Sequence, residues 1–368
     1  MSSKKDKFSQ KDKLYMELAL DLANVRQGLT GNNPSVGCVI VKNDEIISIG
    51  QTGFNGRPHA EYNAIKNSIE DLVGSKMYVT LEPCNHYGQT PPCTNEIIKN
   101  KISQVVYSVD DIDKKVEGKS SKILRLKKII VKKGLLKEKI KIFYKPYFFN
   151  RMNKLPYVTG KIAISKNNLI YKKGVKRITD IYSDKFTHNL RYHNDSILIS
   201  YKTLNTDNPK LNCRIKSLEK FSPRRIIIDG NLKLKKSSYI YKTTNKNNTI
   251  VFYNNASKSK ILTFKKKGFK LIKLNFFQNK YFDIKLIMKK LYQLGCRNLL
   301  VEGGNELTKS FLKNRIFNNF YLFKSPKNIS KTTFYKDFNS FKYLSQNYKN
   351  RSKINLNLTK DSIALYKK

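Results

Sequence analysis

Pro58-His59-Ala60-Glu61, followed by Leu81-Glu82-Pro83-Cys84-Asn85-His86-Tyr87-Gly88-Gln89-Thr90-Pro91-Pro92-Cys93, is the stretch from which the rest of the chain can be read. His59, Cys84 and Cys93, each expected at the start of a helix, form a soft three-ligand set suited to zinc. Three protein ligands leave a fourth position open. An open position marks a catalytic ion, because the metal can lower the pKa of a water to about 7. Helix N-termini add a positive partial charge that favours thiolate over thiol. Glu61, two residues after His59, is badly placed to ligate the same ion but can lie beside the water. Its expected role is that of a proton shuttle. A closed zinc site, or two buried cysteines near an ordinary histidine, is disfavoured by the joint pattern of Pro before each cysteine and Glu after the histidine.

The flanking sequence supplies the frame for this set. Leu14, Leu18, Leu22 and Val25 recur at helical spacing after a basic tail over residues 1–12. Val36 to Val41, the turn Asn43-Asp44 and Ile46 to Ile49 read as a hairpin. A helix opens at Arg57-Pro58, Met77 to Leu81 is a buried strand, Pro91-Pro92 starts a helix through Ile98, and Val105 to Val109 is again a strand. Helices alternating with apolar strands predict a layered α/β domain with a mostly buried mixed sheet.

Residues 111–150 are Lys-rich and less regular, with one apolar strand at Ile129 to Val131. The alternation restarts near Asn150 to Pro156, which places a boundary between a first domain over 1–150 and a second over 151–368. Apolar runs at Val158 to Ile164, Ile197 to Ile199, Ile226 to Ile228, Ile250 to Tyr253 and Leu299 to Val301, with helices at Ser183 to Tyr192 and Asp283 to Leu294, predict a second α/β domain.

The 368 residues carry 73 Lys and Arg against 27 Asp and Glu, a net charge of +46 that would suit a nucleic-acid or membrane partner. The distribution argues otherwise. Between Pro34 and Lys99, the bases Lys42, Arg57, Lys66, Lys76 and Lys99 are outnumbered by Asp44, Glu45, Glu61, Glu70, Asp71, Glu82 and Glu96. An enzyme that works on a strand of nucleic acid is expected to ring its pocket with bases and stacking aromatics. The excess lies in linkers and the second half, as solvated surface. No secretory signal and no membrane span are expected, and five cysteines without framework spacing fit a reducing cytoplasm, with Cys38, Cys213 and Cys296 as small buried residues.

His-x-Glu with Pro-Cys-x-x-Cys is the signature of zinc deaminases of nucleobases; here eight residues separate the cysteines. Asn33-Pro34-Ser35-Val36-Gly37-Cys38-Val39-Ile40-Val41, His59-Ala60-Glu61, Glu82-Pro83-Cys84 and Gly88 through Thr90-Pro91-Pro92-Cys93 resemble the riboflavin-biosynthesis deaminase, usually the N-terminal half of a bifunctional deaminase-reductase. The resemblance implies a cytidine-deaminase-like three-layer domain that removes the 2-amino group of a diaminopyrimidinone carrying a ribosylamino phosphate. Asn85 replaces the usual serine, and Gln89 stands where a basic residue is common.

The second half is similar to the family's reductase, which resembles dihydrofolate reductase. The matching segments are Lys161-Ile162-Ala163-Ile164-Ser165, Ile178-Thr179, Leu190-Arg191, Thr203 through Pro209, Leu211 with Arg214, Arg224 through Gly230, and Val301-Glu302-Gly303-Gly304. Val301 to Gly304 is a strand-to-helix turn whose glycines would let backbone amides approach a phosphate. The resemblance implies that Gly304, Asn305, Glu306 and Leu307 cradle the NADPH pyrophosphate, while Ala163, Thr203, Asp207 and Gly230 line the rest of the cofactor cleft. Arg191 and Arg214 would fork a substrate phosphate, with Leu211 and Glu302 completing the substrate side. The turn Ser165-Lys166-Asn167-Asn168, the Asn208 that follows Asp207, and Pro326-Lys327 without following glycines depart from the family pattern.

The expectation is therefore a bifunctional cytoplasmic enzyme holding one zinc and NADPH. It would act on a phosphorylated pyrimidine as a homo-oligomer, without nucleic acid or membrane. The rivals are a deaminase with a degenerate reductase half, a nucleic-acid base deaminase, and a non-enzymatic zinc-stabilised scaffold.

Overall fold

The computed structural model describes residues 8–88, 90–113, 116–175, 177–246, 248–277, 281–331 and 335–368. Gln89 and the first seven residues of the expected tail lie outside the described residues. The chain divides into two compact units, Met1–Lys154 and Leu155–Lys368.

The first unit contains α1 (Gln10–Arg26), β1 (Gly37–Lys42), β2 (Glu45–Gln51), α2 (Ala60–Asn67), β3 (Lys76–Leu81), α3 (Cys93–Lys99), β4 (Gln104–Val109), α4 (Lys119–Leu126), β5 (Ile130–Lys133) and α5 (Lys137–Asn153). Its sheet runs β2-β1-β3-β4-β5, antiparallel across β2, β1 and β3 and parallel from β3 to β5. The hairpin turns at Asn43 and Asp44, both with positive φ, as a two-residue turn between right-twisted strands requires.

Four expectations for this unit differ from the structure. The helix begins at Gln10, where Ser9 and Asp12 form a reciprocal capping box, so the basic tail ends earlier than residue 12. Its buried face is Tyr15, Met16, Ala19, Leu20 and Ala23; of the expected stripe, Leu18 and Leu22 are partly buried and pack against this core, while Leu14 and Val25 are exposed. The reason is close packing. A Cβ on Gly37 would stand 1.8 Å from the carbonyl oxygen of Ala19, so strand and helix backbones touch, and only small residues fit there. Residues 111–150, expected to be irregular, contain α4 and the 17-residue α5. The boundary expected after residue 150 falls inside α5.

The second unit contains β6 (Tyr157–Ile164), β7 (Leu169–Lys172), α6 (Ile181–Tyr192), β8 (Ser196–Ser200), α7 (Tyr201–Asp207), β9 (Arg224–Ile228), α8 (Tyr239–Thr243), β10 (Thr249–Tyr253), α9 (Lys258–Lys266), β11 (Phe269–Lys273), α10 (Ile284–Gln293), β12 (Asn298–Val301), α11 (Asn305–Lys313), β13 (Asn319–Lys324), β14 (Tyr335–Asp337), α12 (Phe341–Asn347), β15 (Asn350–Ile354) and β16 (Ser362–Lys367). Nine strands form one sheet in the order β11-β10-β9-β8-β12-β6-β13-β16-β15, while β14 pairs with β7. The strands from β11 to β13 are parallel, and β16 and β15 add an antiparallel edge. All five apolar runs expected as strands lie in β6, β8, β9, β10 and β12. The Ile- and Val-rich inner strands are buried on both faces by two apolar clusters, as a parallel sheet between helices demands. Among the described residues no helix is long and apolar enough to cross a membrane.

Candidate active site

In the first unit, β3 delivers Glu82 to Cys84 and the start of α3 delivers Cys93. His59 is the N-cap of α2, with Glu61 in its first turn. The Nδ1 of His59 lies 3.3 Å from the Sγ of Cys93 and 3.4 Å from that of Cys84. A tetrahedral zinc with bonds of about 2.0 Å to nitrogen and 2.3 Å to sulfur sets such atoms about 3.5 Å apart, so the three donors fit the ion. They are also the one His, Cys, Asp or Glu group of this kind among the described residues.

Cys84 is not at a helix start, contrary to expectation; it lies in the loop after β3. The helix field reaches it even so, because the Cys93 backbone N–H donates to the Cys84 Sγ at 3.3 Å and the Thr94 N–H donates to the Cys84 carbonyl. Donation from the Cys93 thiol, then from His59, holds the Cys84 thiol well below its ordinary value, while the same contact pushes Cys93 up. Glu61 is buried, and desolvation raises its carboxyl to about 7. A carboxyl poised near neutrality can both take and give a proton. Glu82 supports the site from behind, since its carboxylate accepts from the N–H groups of Gly118 and Ser120 at 3.0 and 3.2 Å and so holds the turn into α4.

The surrounding recess also exposes residues that sequence reasoning missed. Arg57 donates to the Thr90 hydroxyl, tying the segment before His59 to the loop before Cys93. Asp111, Tyr147 and Arg151 form the far wall, with the Tyr147 hydroxyl donating to Asp111 at 3.1 Å. Tyr147 and Arg151 are four apart on α5, a helical signal that the Lys-rich composition hid. His86 lines the same recess, and its Nδ1 is buried without a partner.

In the second unit, Thr203, Gly230, Glu302 and Gly304 follow the C-terminal ends of β8, β9 and β12, the edge where open α/β sheets bind ligands. Gly304 caps α11, and its N–H donates to the Thr203 hydroxyl at 3.2 Å, joining two of the expected cofactor residues. Asn305, Glu306 and Leu307 form the first turn of α11. A Cβ on Gly230 would meet the Phe276 ring at 2.3 Å, so this position has no room for a side chain. Ala163 is half-buried near the end of β6, and Asp207 is the exposed last residue of α7.

The substrate side departs from expectation. Arg191 does not offer its fork to solvent: Nε and Nη2 donate to the two Glu302 carboxylate oxygens at 2.7 and 2.8 Å, and Nη1 donates to the Asn212 carbonyl. Both side chains are largely buried. Arg214 is exposed, and its Nη1 donates to the Asn212 side chain at 3.0 Å, which leaves the rest of this guanidinium open to an anion. The Leu211 side chain belongs to the apolar core, so only its backbone could face a substrate. Lys161 lies within the field of Glu302 and Arg191, and burial lowers its ammonium.

The departures in the turns are absorbed locally. Asn168 and Asn208 have positive φ, a conformation asparagine tolerates. The Asn167 amide both donates to the Ile329 carbonyl and accepts from its N–H, which pins the segment after Pro326-Lys327.

Two family models match: a cytidine and deoxycytidylate deaminase zinc-binding region over residues 9–109, and a RibD C-terminal domain over residues 156–339. The riboflavin biosynthesis protein RibD of Aquifex aeolicus is 34% identical over 359 residues, covering 97% of this chain and 98% of its own. Its counterpart from Buchnera aphidicola is 35% identical over 339 residues, covering 86% and 87%. A solved diaminohydroxyphosphoribosylaminopyrimidine deaminase/5-amino-6-(5-phosphoribosylamino)uracil reductase from Thermotoga maritima superposes with a TM-score of 0.81 at 28% identity, covering 97% of this chain and 98% of that one. RibD of Acinetobacter baumannii shares the fold, with a TM-score of 0.82 at 24% identity and coverage of 97% and 99%.

Proposed function

Because the chain belongs to the RibD family of riboflavin biosynthesis, whose members join a zinc deaminase to an NADPH reductase, we propose the following division of labour among its own residues. His59, Cys84 and Cys93 hold the zinc, and Glu61 moves the protons. The substrate is 2,5-diamino-6-(5-phosphoribosylamino)pyrimidin-4(3H)-one, which the deaminase half hydrolyses at its 2-amino group. The observation that carries this reading is the convergence of one imidazole nitrogen and two thiols at tetrahedral-edge distances beside a buried carboxyl.

Zinc held there supplies Lewis-acid activation of water at neutral pH. Glu61 accepts the proton that water loses on attack and gives it to the ring nitrogen, then takes the proton of the hydroxyl left on the tetrahedral carbon and gives it to the departing amine, which leaves as ammonia as the carbonyl forms. Arg57 and Thr90 keep the loop over the pocket closed against the His59 segment. Asp111 and Tyr147 offer an acceptor and a hydroxyl for the polar edges of the substrate.

In the reductase half, NADPH supplies the hydride that converts the ribosyl group to ribityl. Gly304 through Leu307 present backbone amides to its pyrophosphate, and Ala163, Thr203, Asp207 and Gly230 line the remainder of the cleft. Arg214 meets the substrate phosphate; Arg191 orients Glu302, which faces the sugar. The five free thiols suit a reducing cytoplasm, where we place the enzyme.

One assay tests both halves. Ammonia release and NADPH oxidation are followed on the pyrimidine phosphate with zinc-replete protein. Ammonia without oxidation would leave the deaminase half standing and overturn the reductase half.

A further inference from the structure

The reductase sheet has a cavity at its opposite edge. Its volume is about 550 Å³. Asp195 immediately precedes β8, Arg224 and Arg225 begin β9, and Asn248 immediately precedes β10, so the cavity sits at the N-terminal ends of these parallel strands. Thr203, Gly230 and Glu302 follow the C-terminal ends. A five-residue strand of about 17 Å separates the two edges.

The cavity holds a buried cation with no counter-charge. Arg225 is 8% exposed. Its Nη1 donates to the Thr243 hydroxyl at 2.8 Å, and its Nη2 donates to the Thr243 carbonyl and the Asn248 side-chain oxygen at 3.1 and 2.9 Å, all neutral partners. Burial pushes the guanidinium below its ordinary range. Next to it, the Nε of Arg224 is buried with no hydrogen-bond partner. Lys210 adds a third positive charge, with its ammonium 5.5 Å from the Tyr239 ring centroid.

Asp195, the carboxylate lining this cavity, is already committed. One oxygen accepts from the N–H groups of Arg297 and Asn298 at 2.8 and 2.7 Å, and the other accepts from the Ser196 hydroxyl at 2.7 Å. Among the described residues no ion pair engages Lys210, Arg224 or Arg225. Burying a charge without a partner is costly, and an orphaned buried donor is rare in native structures. Both features point to the same missing anion.

We propose that this cavity binds the phosphate of a small phosphorylated metabolite, at a site separate from both active sites. The unpaired Nε of Arg224, the donors that Arg225 has left and the ammonium of Lys210 suit a phosphomonoester, whose oxygens can accept from all three. The volume is in the usual range for small-molecule sites. The proposal does not rest on the reductase reading, since none of its three cations is assigned to that site.

The test is calorimetric titration of the full zinc-replete chain with inorganic phosphate, at a fixed ionic strength of about 150 mM and with NADP⁺ in excess to fill the cofactor cleft. Arg214→Gln removes the competing guanidinium of the reductase pocket and is expected to leave phosphate binding intact. Arg225→Gln should weaken it by about tenfold or more, as loss of a charge-assisted hydrogen bond does. The double variant Lys210→Gln/Arg224→Gln, which spares the buried Arg225, should do the same and keeps the test valid if Arg225→Gln fails to fold. Binding that is lost in Arg214→Gln and kept in the cavity variants would overturn the site. So would the absence of binding by wild type up to about 10 mM phosphate, or equal heats from chloride.

Discussion

Arg191 grips Glu302 through two parallel hydrogen bonds, Nε and Nη2 each to one carboxylate oxygen at 2.7 and 2.8 Å, across a largely buried contact. This pair joins the last turn of α6 to the end of β12. The guanidinium expected to meet a phosphate is here engaged by a carboxylate.

The first prediction follows from that pairing. Arg191→Ala should strand the Glu302 charge and destabilise the second unit by about 3 kcal/mol, the usual result of removing one partner of a buried pair. Arg214→Ala, at an exposed position, should leave thermal stability within about 0.5 kcal/mol and raise the reductase KM about tenfold or more. Calorimetric melting and reductase kinetics on the two variants separate the roles. Equal stability losses would show that Arg191 and Arg214 act alike.

Metal removal gives the second. Cys84→Ala should lose zinc and deamination together, because two remaining ligands hold the ion poorly, whereas Glu61→Gln should keep zinc and lose deamination by roughly 10² to 10⁴. Chelation should leave NADPH oxidation intact when the already deaminated pyrimidine is supplied. Elemental analysis alongside the two assays decides it; zinc loss in Glu61→Gln would place that carboxylate among the ligands.

The third concerns Gly37. Adding a methyl group there sets a Cβ 1.8 Å from the Ala19 carbonyl oxygen, a contact with backbone that no rotamer change can relieve. Gly37→Ala should therefore cost about 3 kcal/mol, the upper part of the range for overpacking, through displacement of α1 from β1. Denaturant unfolding of the purified variant measures it, and a loss below about 1 kcal/mol would mean that the helix can slide without penalty.

The fourth is a pH dependence set by His188. Burial, then the Arg191 and Arg214 guanidiniums, holds its imidazole down to about 4, and its Nδ1 accepts the Arg214 N–H. The folded chain keeps the ring neutral while the unfolded chain charges near 6.5. Stability present above pH 6.5 is therefore lost as pH falls towards 4, by an amount on the order of 2 kcal/mol. His188→Asn should flatten that part of the profile of melting temperature against pH; an unchanged slope would assign the loss to other groups.

Sequence alone determined the metal chemistry, because ligand type is a property of side chains and the His59, Glu61, Cys84 and Cys93 pattern has few other uses. It also determined the apolar strands β6, β8, β9, β10 and β12, whose hydrophobic runs are local. Only the tertiary structure decided the face of α1 that is fully buried, since the close backbone approach at Gly37 turns Ala19 to the sheet and leaves Leu18 and Leu22 at its margin. It decided the second helical stretch too: α5 is rich in lysine and gains its burial from Ile140 and Tyr144 against a distant sheet. Arg191 shows the same limit at the site. Residue type announced a cation there, but its partner lies 111 positions away in Glu302, and whether a guanidinium meets a phosphate or a carboxylate is settled by what folding brings within 3 Å of it.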